Sequence, residues 1–279
     1  MMKVPIPTLH LFLPLDQKLI ELLKSLSPED WKKPTLAKLW TVKDVAAHLV
    51  DGNLRVVALA QNYMGDPPSQ IHSYQDLVNY LNSLNADWIR AMKRVSPSTL
   101  IELLEVTQQS VIDYYHSLDL WAPAPFAVSW AGEDESQNWF HIAREYTERW
   151  HHQQQIRAAV SKEGIMGKEF FSPLIKTFMM ALPYAFRDTN AADGSLISVK
   201  VNDASLDEWK IISHNQKWNF TSQTNSAPDT QIEMSADTAW KLFTKALPKK
   251  VASEKIKISG NQEFGKAIFK MVSVMAWRV

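Results

Sequence analysis

The sequence predicts a helical bundle followed by a small α+β domain, and three observations carry that expectation. Between Leu15 and Phe186 apolar residues recur at steps of three and four, the period of amphipathic helices. At Asp188-Thr-Asn-Ala-Ala-Asp-Gly-Ser195 turn-forming residues cluster. Beyond them the apolar period drops to two, the mark of short, half-buried strands. The expected division is therefore 1–190 for the bundle and 191–279 for the second domain.

The elements follow in order. Leu15, Leu19, Leu22, Leu23 and Leu26 share one helical face, and Ser27-Pro28 stops that helix. Thr41 is a good N-cap for a second helix through Val42, Val45, Ala46 and Leu49, predicted to run to about Met64 before Gly65-Asp-Pro-Pro68 breaks it. Two more helices are predicted over Ser73 to Val95 and Ser98 to Leu118, the latter entered through Ser96-Pro97-Ser98. From Asp119 to Gln137 the chain is rich in proline and aromatics and cannot be a regular helix. It leads into the helix beginning at Gln137, and Trp121, Phe126 or Trp130 are expected either to roof a pocket or to plug the end of the bundle. A last bundle helix is predicted over Ser172 to Phe186. Strands are then expected at Leu196 to Asn202, Glu208 to Ser213, Lys217 to Thr221 and Thr230 to Ser235 as a meander, with helices at Asp237 to Leu247 and Glu263 to Met275 around a strand at Lys255 to Ser259.

Composition narrows the function classes. Lys and Arg number 30 and so do Asp and Glu, so no basic field exists to gather nucleic acid or an anionic membrane. With no cysteine there can be no disulfide, thiolate ligand or cysteine nucleophile, so any thiol chemistry must use a thiol from outside. Prolines interrupt the apolar run Val4 to Pro14, which reads as an extended lead-in and not a signal peptide. No segment approaches about 18 uninterrupted apolar residues, the minimum for a membrane-spanning helix. These features lead us to expect a cytoplasmic protein.

The sharpest signal lies in Gln137 to Val160. At alternating steps of four and three, His141, Glu145, Glu148, His152 and Gln155 fall on one side of a helix that should be buried. Glu148 and His152, at i and i+4, can offer a carboxylate oxygen and an imidazole nitrogen to one divalent ion. The same pair on a solvated face would be only a weak ion pair. His48, a lone histidine beside the apolar arc of its helix, is the best third ligand. Three protein ligands leave a position open, as in catalytic metal sites. His151, rotated about 100° from His152, is expected to point away.

The segment Trp40-Thr-Val-Lys-Asp-Val-Ala-Ala-His48 resembles the second-helix signature of the DinB/YfiT-like metal-binding bundles. Glu148-Arg-Trp-His-His152 is similar to the ligand helix of the branch named after mycothiol-dependent maleylpyruvate isomerase. The resemblance implies a DinB-like bundle with an up-down four-helix core and extra helices, followed by a small sterol-carrier-like α+β domain. It maps the ligand positions onto His48, Glu148 and His152, and it assigns no further catalytic residue.

What it implies chemically is a divalent-metal-dependent enzyme that activates a low-molecular-weight thiol for isomerisation or S-transfer on a small electrophile. Zinc is the leading ion, with nickel or another first-row ion open. A metal-dependent hydrolase and a non-catalytic metal- or ligand-binding protein are the alternatives. The expected partners are the small-molecule substrate and the thiol, with neither nucleic acid nor membrane, and a homodimer is left open. In the resembled branch an arginine of the second domain lies near the substrate carboxylates. Here residues 191–279 hold no arginine before Arg278, so maleylpyruvate itself is a doubtful substrate, and Arg55, Arg149 or Arg157 would have to supply an anion clamp. Around the ligands, Asp44 or Glu145 is expected to accept the second N–H of a ligand imidazole, since Gln155 stands where the branch often has an acid.

Overall fold

The computed structural model describes residues 3–65, 71–202, 208–222 and 226–275. The Asp-Pro-Pro part of the expected break after Gly65, and Arg278, lie outside the described residues. By internal contacts the chain forms two compact units, 1–125 with 137–165 and 126–136 with 166–279.

The first unit is the helical bundle. Its helices are α1 (Phe12–Lys24), α2 (Val42–Ala60), α3 (Tyr74–Met92), α4 (Pro97–Ser117) and α5 (Asn138–Val160). Each start has a chemical cause. Thr41 caps α2 through a reciprocal box with Asp44, Ser73 caps α3 by accepting from the Asp76 N–H, and Ser96 caps α4 with Pro97 at its first position. Leu19, Leu22 and Leu23 of α1 pack with Val45, Leu49 and Val50 of α2, Ile89 of α3, Leu100 and Leu104 of α4, and Ile156 of α5 in one core. Each such side chain contributes about 1.5 to 3 kcal/mol on leaving water. The start of α5 is fixed by the chain before it, as the Asn138 N–H donates to Ala122 O (3.0 Å) and the Trp139 N–H to Leu120 O (2.9 Å).

The second unit opens with α6 (Lys168–Met179) and α7 (Leu182–Ala185), where the sequence predicts one helix over Ser172 to Phe186. The break has a simple cause. Pro183 has no N–H to give to the Met179 carbonyl and its ring would collide with it, so a new turn begins there instead. The expected strands are found as β1 (Leu196–Asn202), β2 (Glu208–His214), β3 (Lys217–Phe220) and β4 (Thr230–Ser235). They are not a simple meander. The first three are antiparallel neighbours, but β4 pairs in parallel with β1, setting Ile232 beside Val199 and Met234 beside Val201 on one apolar face.

The remaining elements are α8 (Ala236–Phe243), α9 (Lys249–Lys255), β5 (Lys257–Gly260) and α10 (Gln262–Gly265), with the sheet ordered β3-β2-β1-β4-β5. Helix α8 stops before Leu247 because Lys245 takes a left-handed φ of 60°. Helix α9 escapes the sequence pattern because Ala252 is its one buried residue. The helix expected to reach Met275 is only α10 and a 3-10 turn to Lys270. There the chain is claimed by other partners, for Ser273 gives its N–H to Phe243 O (2.9 Å) and its hydroxyl to Phe178 O (3.0 Å). At the end of β5, Gly260 (φ 84°) lies against the Asp229 carbonyl where no side chain would fit. Trp130 is buried, and a Cβ on Gly132 would strike the Tyr184 ring, so residues 126–136 pack within this unit. Trp121 and Phe126 are exposed. Among the described residues no helix is long and apolar enough to cross a membrane.

Candidate metal centre

Helix α2 presents His48 and helix α5 presents Glu148 and His152, and one ligand atom from each lies within 4.8 Å of the other two. His152 Nε2 is 3.5 Å from Glu148 Oε2. A tetrahedral site with ligands about 2.0 to 2.1 Å from the ion has edges of about 3.3 Å, so this pair is already spaced as two corners of one. Two further observations suit a cation. His48 Nδ1 is buried with no hydrogen-bond partner among the described residues, an arrangement that costs about 1 to 3 kcal/mol unless something else occupies the nitrogen. His152 Nδ1 lies 2.9 Å from Gln155 Oε1, and an amide oxygen can only accept, so Nδ1 is the donor there and Nε2 is the nitrogen turned to Glu148. Two imidazoles and a carboxylate are a donor set that zinc and its first-row neighbours accept.

The electrostatics keep His48 and Glu148 in ligating form. Burial pushes the His48 pKa well below its ordinary value, and the charges of His152 and Arg55 lower it further, so the ring is neutral at pH 7. Burial alone would raise Glu148, but His151 and His152 outweigh it and hold the carboxyl far below the usual range. Trp40 covers both rings, 4.8 Å from His48 and 6.0 Å from His152 between centroids. The sequence marks Trp40 as the lead into α2 and as one of several tryptophans expected in packing, one or two of them lining a pocket, without tying it to the two histidines. Its signal was the spacing of eight to His48, which carries a residue before the N-cap back over the second turn.

Several expectations need correction. His151 does not point away: its ring is 4.0 Å from that of His152 and its Nε2 3.9 Å from Glu148 Oε2, while Nδ1 donates to Thr147 O at 2.9 Å. Helix α5 is buried on nearly all sides, so a turn of 100° still leaves a side chain inside. Burial, then the charge of His152, lowers the His151 pKa to about 4. Asp44 does not serve a ligand. One of its oxygens takes the Thr41 N–H and hydroxyl (3.0 and 2.8 Å) and the other Lys93 Nζ (2.7 Å), because a first-turn carboxylate is claimed by its own cap. Glu145 pairs with Arg144 at 2.8 Å. The acceptor is Gln155 itself. Of the three arginines, Arg149 is buried against Asp16, and Arg157 donates to Glu163 O and Lys18 O. Arg55 alone is half exposed, its Nε held by Asp51 at 3.2 Å, with no partner at its two terminal nitrogens among the described residues.

A helical bundle whose second and fifth helices converge on a two-histidine, one-glutamate site, continued by a five-stranded α+β layer, defines a two-part class of proteins. Residues 12–157 match the family model described as the mycothiol maleylpyruvate isomerase N-terminal domain, and residues 184–273 match that of the SCP-2 sterol transfer family. The chain belongs to the mycothiol maleylpyruvate isomerase N-terminal domain family. Among solved structures it is similar to the mycothiol-dependent maleylpyruvate isomerase, at 11% identity with a TM-score of 0.57, covering 92% of this chain and 93% of that one. It is also similar to a histidine-to-alanine mutant of the mycothiol-dependent maleylpyruvate isomerase, at 10% identity with a TM-score of 0.56, covering 90% of this chain and 91% of that one. At these identities the likeness is one of fold. No curated protein matches the chain by sequence.

Proposed function

We propose that the protein is a metal- and thiol-dependent enzyme that performs isomerisation or S-transfer on a small electrophile, with His48, Glu148 and His152 as the metal ligands. The single observation that carries this is the convergence of those three donors on one point, with His152 tautomerically fixed by Gln155. Family membership supports the thiol, since the solved relatives are described as mycothiol-dependent. Zinc is the ion we assign. When bound, it supplies Lewis acidity that lowers the pKa of a thiol, so that thiolate, the nucleophilic form, is present near neutral pH.

The chain's own residues do the rest. His48 and Glu148 stay neutral and ionised respectively because their surroundings exclude the other form. Gln155 holds the His152 ring so that one lone pair aims at the site. Trp40 keeps water from the backs of both imidazoles, which strengthens every charge interaction they make. Arg55, at i+7 from His48 on α2, turns an open guanidinium end outward that suits an anionic group on the substrate. In this reading the cation that meets the substrate comes from the bundle.

The test is elemental analysis of protein purified without added metal, followed by thiol-transfer and isomerisation assays with several low-molecular-weight thiols. One equivalent of zinc is expected in the natural chain and none in His48→Ala or His152→Ala. Full occupancy in both variants would sink the ligand assignment. Turnover that requires metal but no thiol would replace the thiol reading with hydrolysis, and metal without any turnover would leave a binding protein.

A further inference from the structure

Beside the ligands lies a second polar cluster that the proposed reaction does not use. Arg149, the residue after Glu148, is buried in the bundle core and donates from Nη1 to both carboxylate oxygens of Asp16 on α1 (3.0 Å each). Its Nη2 donates to Asn53 Oδ1 on α2 at 2.6 Å. The Asn53 amide in turn donates to Thr107 Oγ1 on α4 (2.8 Å), and that hydroxyl to Leu103 O (2.6 Å). Asp16, Asn53, Thr107 and Arg149 are all buried, so one chain of directional bonds runs from α1 through α5 and α2 to α4 with no water needed to complete it.

Such a network is a poor way to stabilise a bundle. Taking Arg149 and Asp16 out of water costs several kcal/mol per ion, and well-packed apolar replacements of buried ion pairs are often neutral or stabilising. What apolar packing does badly is fix the slide and rotation of one helix on another, because it is non-directional. The network ties the two ligand-bearing helices at that point. Asn53 lies five residues beyond His48, about 7.5 Å along the α2 axis, and Arg149 is one residue from Glu148. A small rotation of α5 about its axis carries both Arg149 and Glu148, and metal ligands tolerate only about 0.2 Å of misplacement.

We infer that the Asp16–Arg149–Asn53 network is a positioning device that sets the register of α2 against α5 and thereby the spacing of His48 from Glu148 and His152. None of the three touches the ion or substrate. The inference rests on the metal-centre reading of the previous section.

The experiment compares the natural chain with Asp16→Leu/Asn53→Leu/Arg149→Met, which replaces the cluster by apolar side chains of similar length, and with Arg149→Lys, which keeps the charge but loses the fork that reaches both partners. Three quantities are read: urea midpoint, zinc affinity by chelator competition, and the visible spectrum of the Co(II)-loaded protein. The triple variant is expected to keep its helicity and an unfolding midpoint at or near that of the natural chain, to bind zinc at least 10-fold more weakly, and to show a Co(II) spectrum moved away from the tetrahedral form. Arg149→Lys should fold and lose affinity by a smaller factor. Unchanged zinc affinity and an unchanged Co(II) spectrum in these variants would overturn the inference and leave the metal centre standing. If the triple variant does not fold, Arg149→Lys decides; if that too fails to fold, the network is a stability element and the inference falls. Absence of zinc binding by the natural chain takes down both readings.

Discussion

Helix α5 of the bundle and helix α8 of the α+β unit are both buried, and they fill their surroundings with opposite chemistry. Along α5 the buried residues include His141, Arg149, His151, His152 and Gln155, whereas along α8 they are Ala236, Ala239, Trp240, Leu242 and Phe243, with Thr238 as the polar member. A buried Trp or Phe lowers the free energy of folding simply by leaving water. Buried imidazoles and guanidinia do so only when each polar atom finds a partner, and several in α5 find theirs in one another, in Asp16 or in Gln155. The bundle thus gives up stability along one helix to assemble charge in a dry place. Among the described residues the second unit contains no comparable group of metal-ligating side chains.

If this contrast is right, damage to the two helices should show in different measurements. The largest effect is expected from Trp240→Ala, which removes a fully buried ring and should cost about 3 to 5 kcal/mol of stability. Zinc stoichiometry in protein that remains folded should stay at one. A loss of metal with little change in unfolding midpoint would contradict the division of labour.

Next comes Gln155→Leu, which is nearly isosteric and removes the acceptor of the His152 Nδ1 proton. Zinc affinity should fall about 10- to 100-fold, as for other partners of ligand imidazoles. Retained affinity would mean that the tautomer is set by something other than Gln155.

The third test uses pH. His141 accepts from Arg144 Nη2 through Nδ1 at 2.7 Å and is buried, so its pKa is lowered to about 4, first by burial and then by the Arg144 charge. In the unfolded chain the same ring titrates near 6.5. As pH falls below 6.5 the unfolded state takes up a proton that the folded state refuses, so stability is full above that pH and declines toward pH 4. At pH 5 the loss from this one group is about 2 kcal/mol. Urea midpoints of metal-free protein at pH 7.5 and 5 should differ, and His141→Gln should shrink the difference. An identical pH slope in that variant would show that His141 is not buried neutral.

How far the sequence led depended on which physical signal each part carries. The bundle helices were readable because their caps and apolar faces are local: Thr41, Ser73 and Ser96 mark starts that the structure keeps. Strand β1 was predicted to the residue because turn-forming residues cluster just ahead of it in the sequence, up to Gly194-Ser195, and the period-two pattern begins at Leu196. Parallel pairing of β4 with β1 is a long-range choice that no short window contains, and α9 was hidden by its single buried side chain. At the candidate site the helix-face spacing singled out Glu148 and His152, while His48 stood out as a lone histidine beside the apolar arc of α2 and through the family resemblance. It did not reveal Trp40 lying over the imidazoles, nor that Asn53 and Asp16 would meet Arg149, since such contacts depend on how helices cross. The misreading of His151 came from taking a turn of about 100° as enough to carry a side chain away from the site, when almost the whole circumference of α5 is inside.

The smallest expected effect separates a helix cap from a metal-centre residue, and Asp44 is the residue on which the two accounts differ. Its Oδ2 takes the Thr41 N–H and hydroxyl and its Oδ1 holds Lys93, so both oxygens are spent on the start of α2 and its tie to the end of α3. Burial would raise its pKa, but Lys93 and Thr41 together lower it, so it is ionised at neutral pH and its charge also faces the positive end of the helix. Asp44→Asn keeps the shape, one acceptor and a weaker dipole, so stability should fall by about 1 kcal/mol. Four residues separate it from His48, one turn of α2, and a cap that frays by less than a turn leaves that imidazole where it was. Zinc affinity in Asp44→Asn should therefore match that of the natural chain even as the urea midpoint drops. A 10-fold loss of zinc affinity would mean that the first turn of α2 positions His48 directly, and would extend the polar machinery of the bundle one turn further than the hydrogen bonds now indicate.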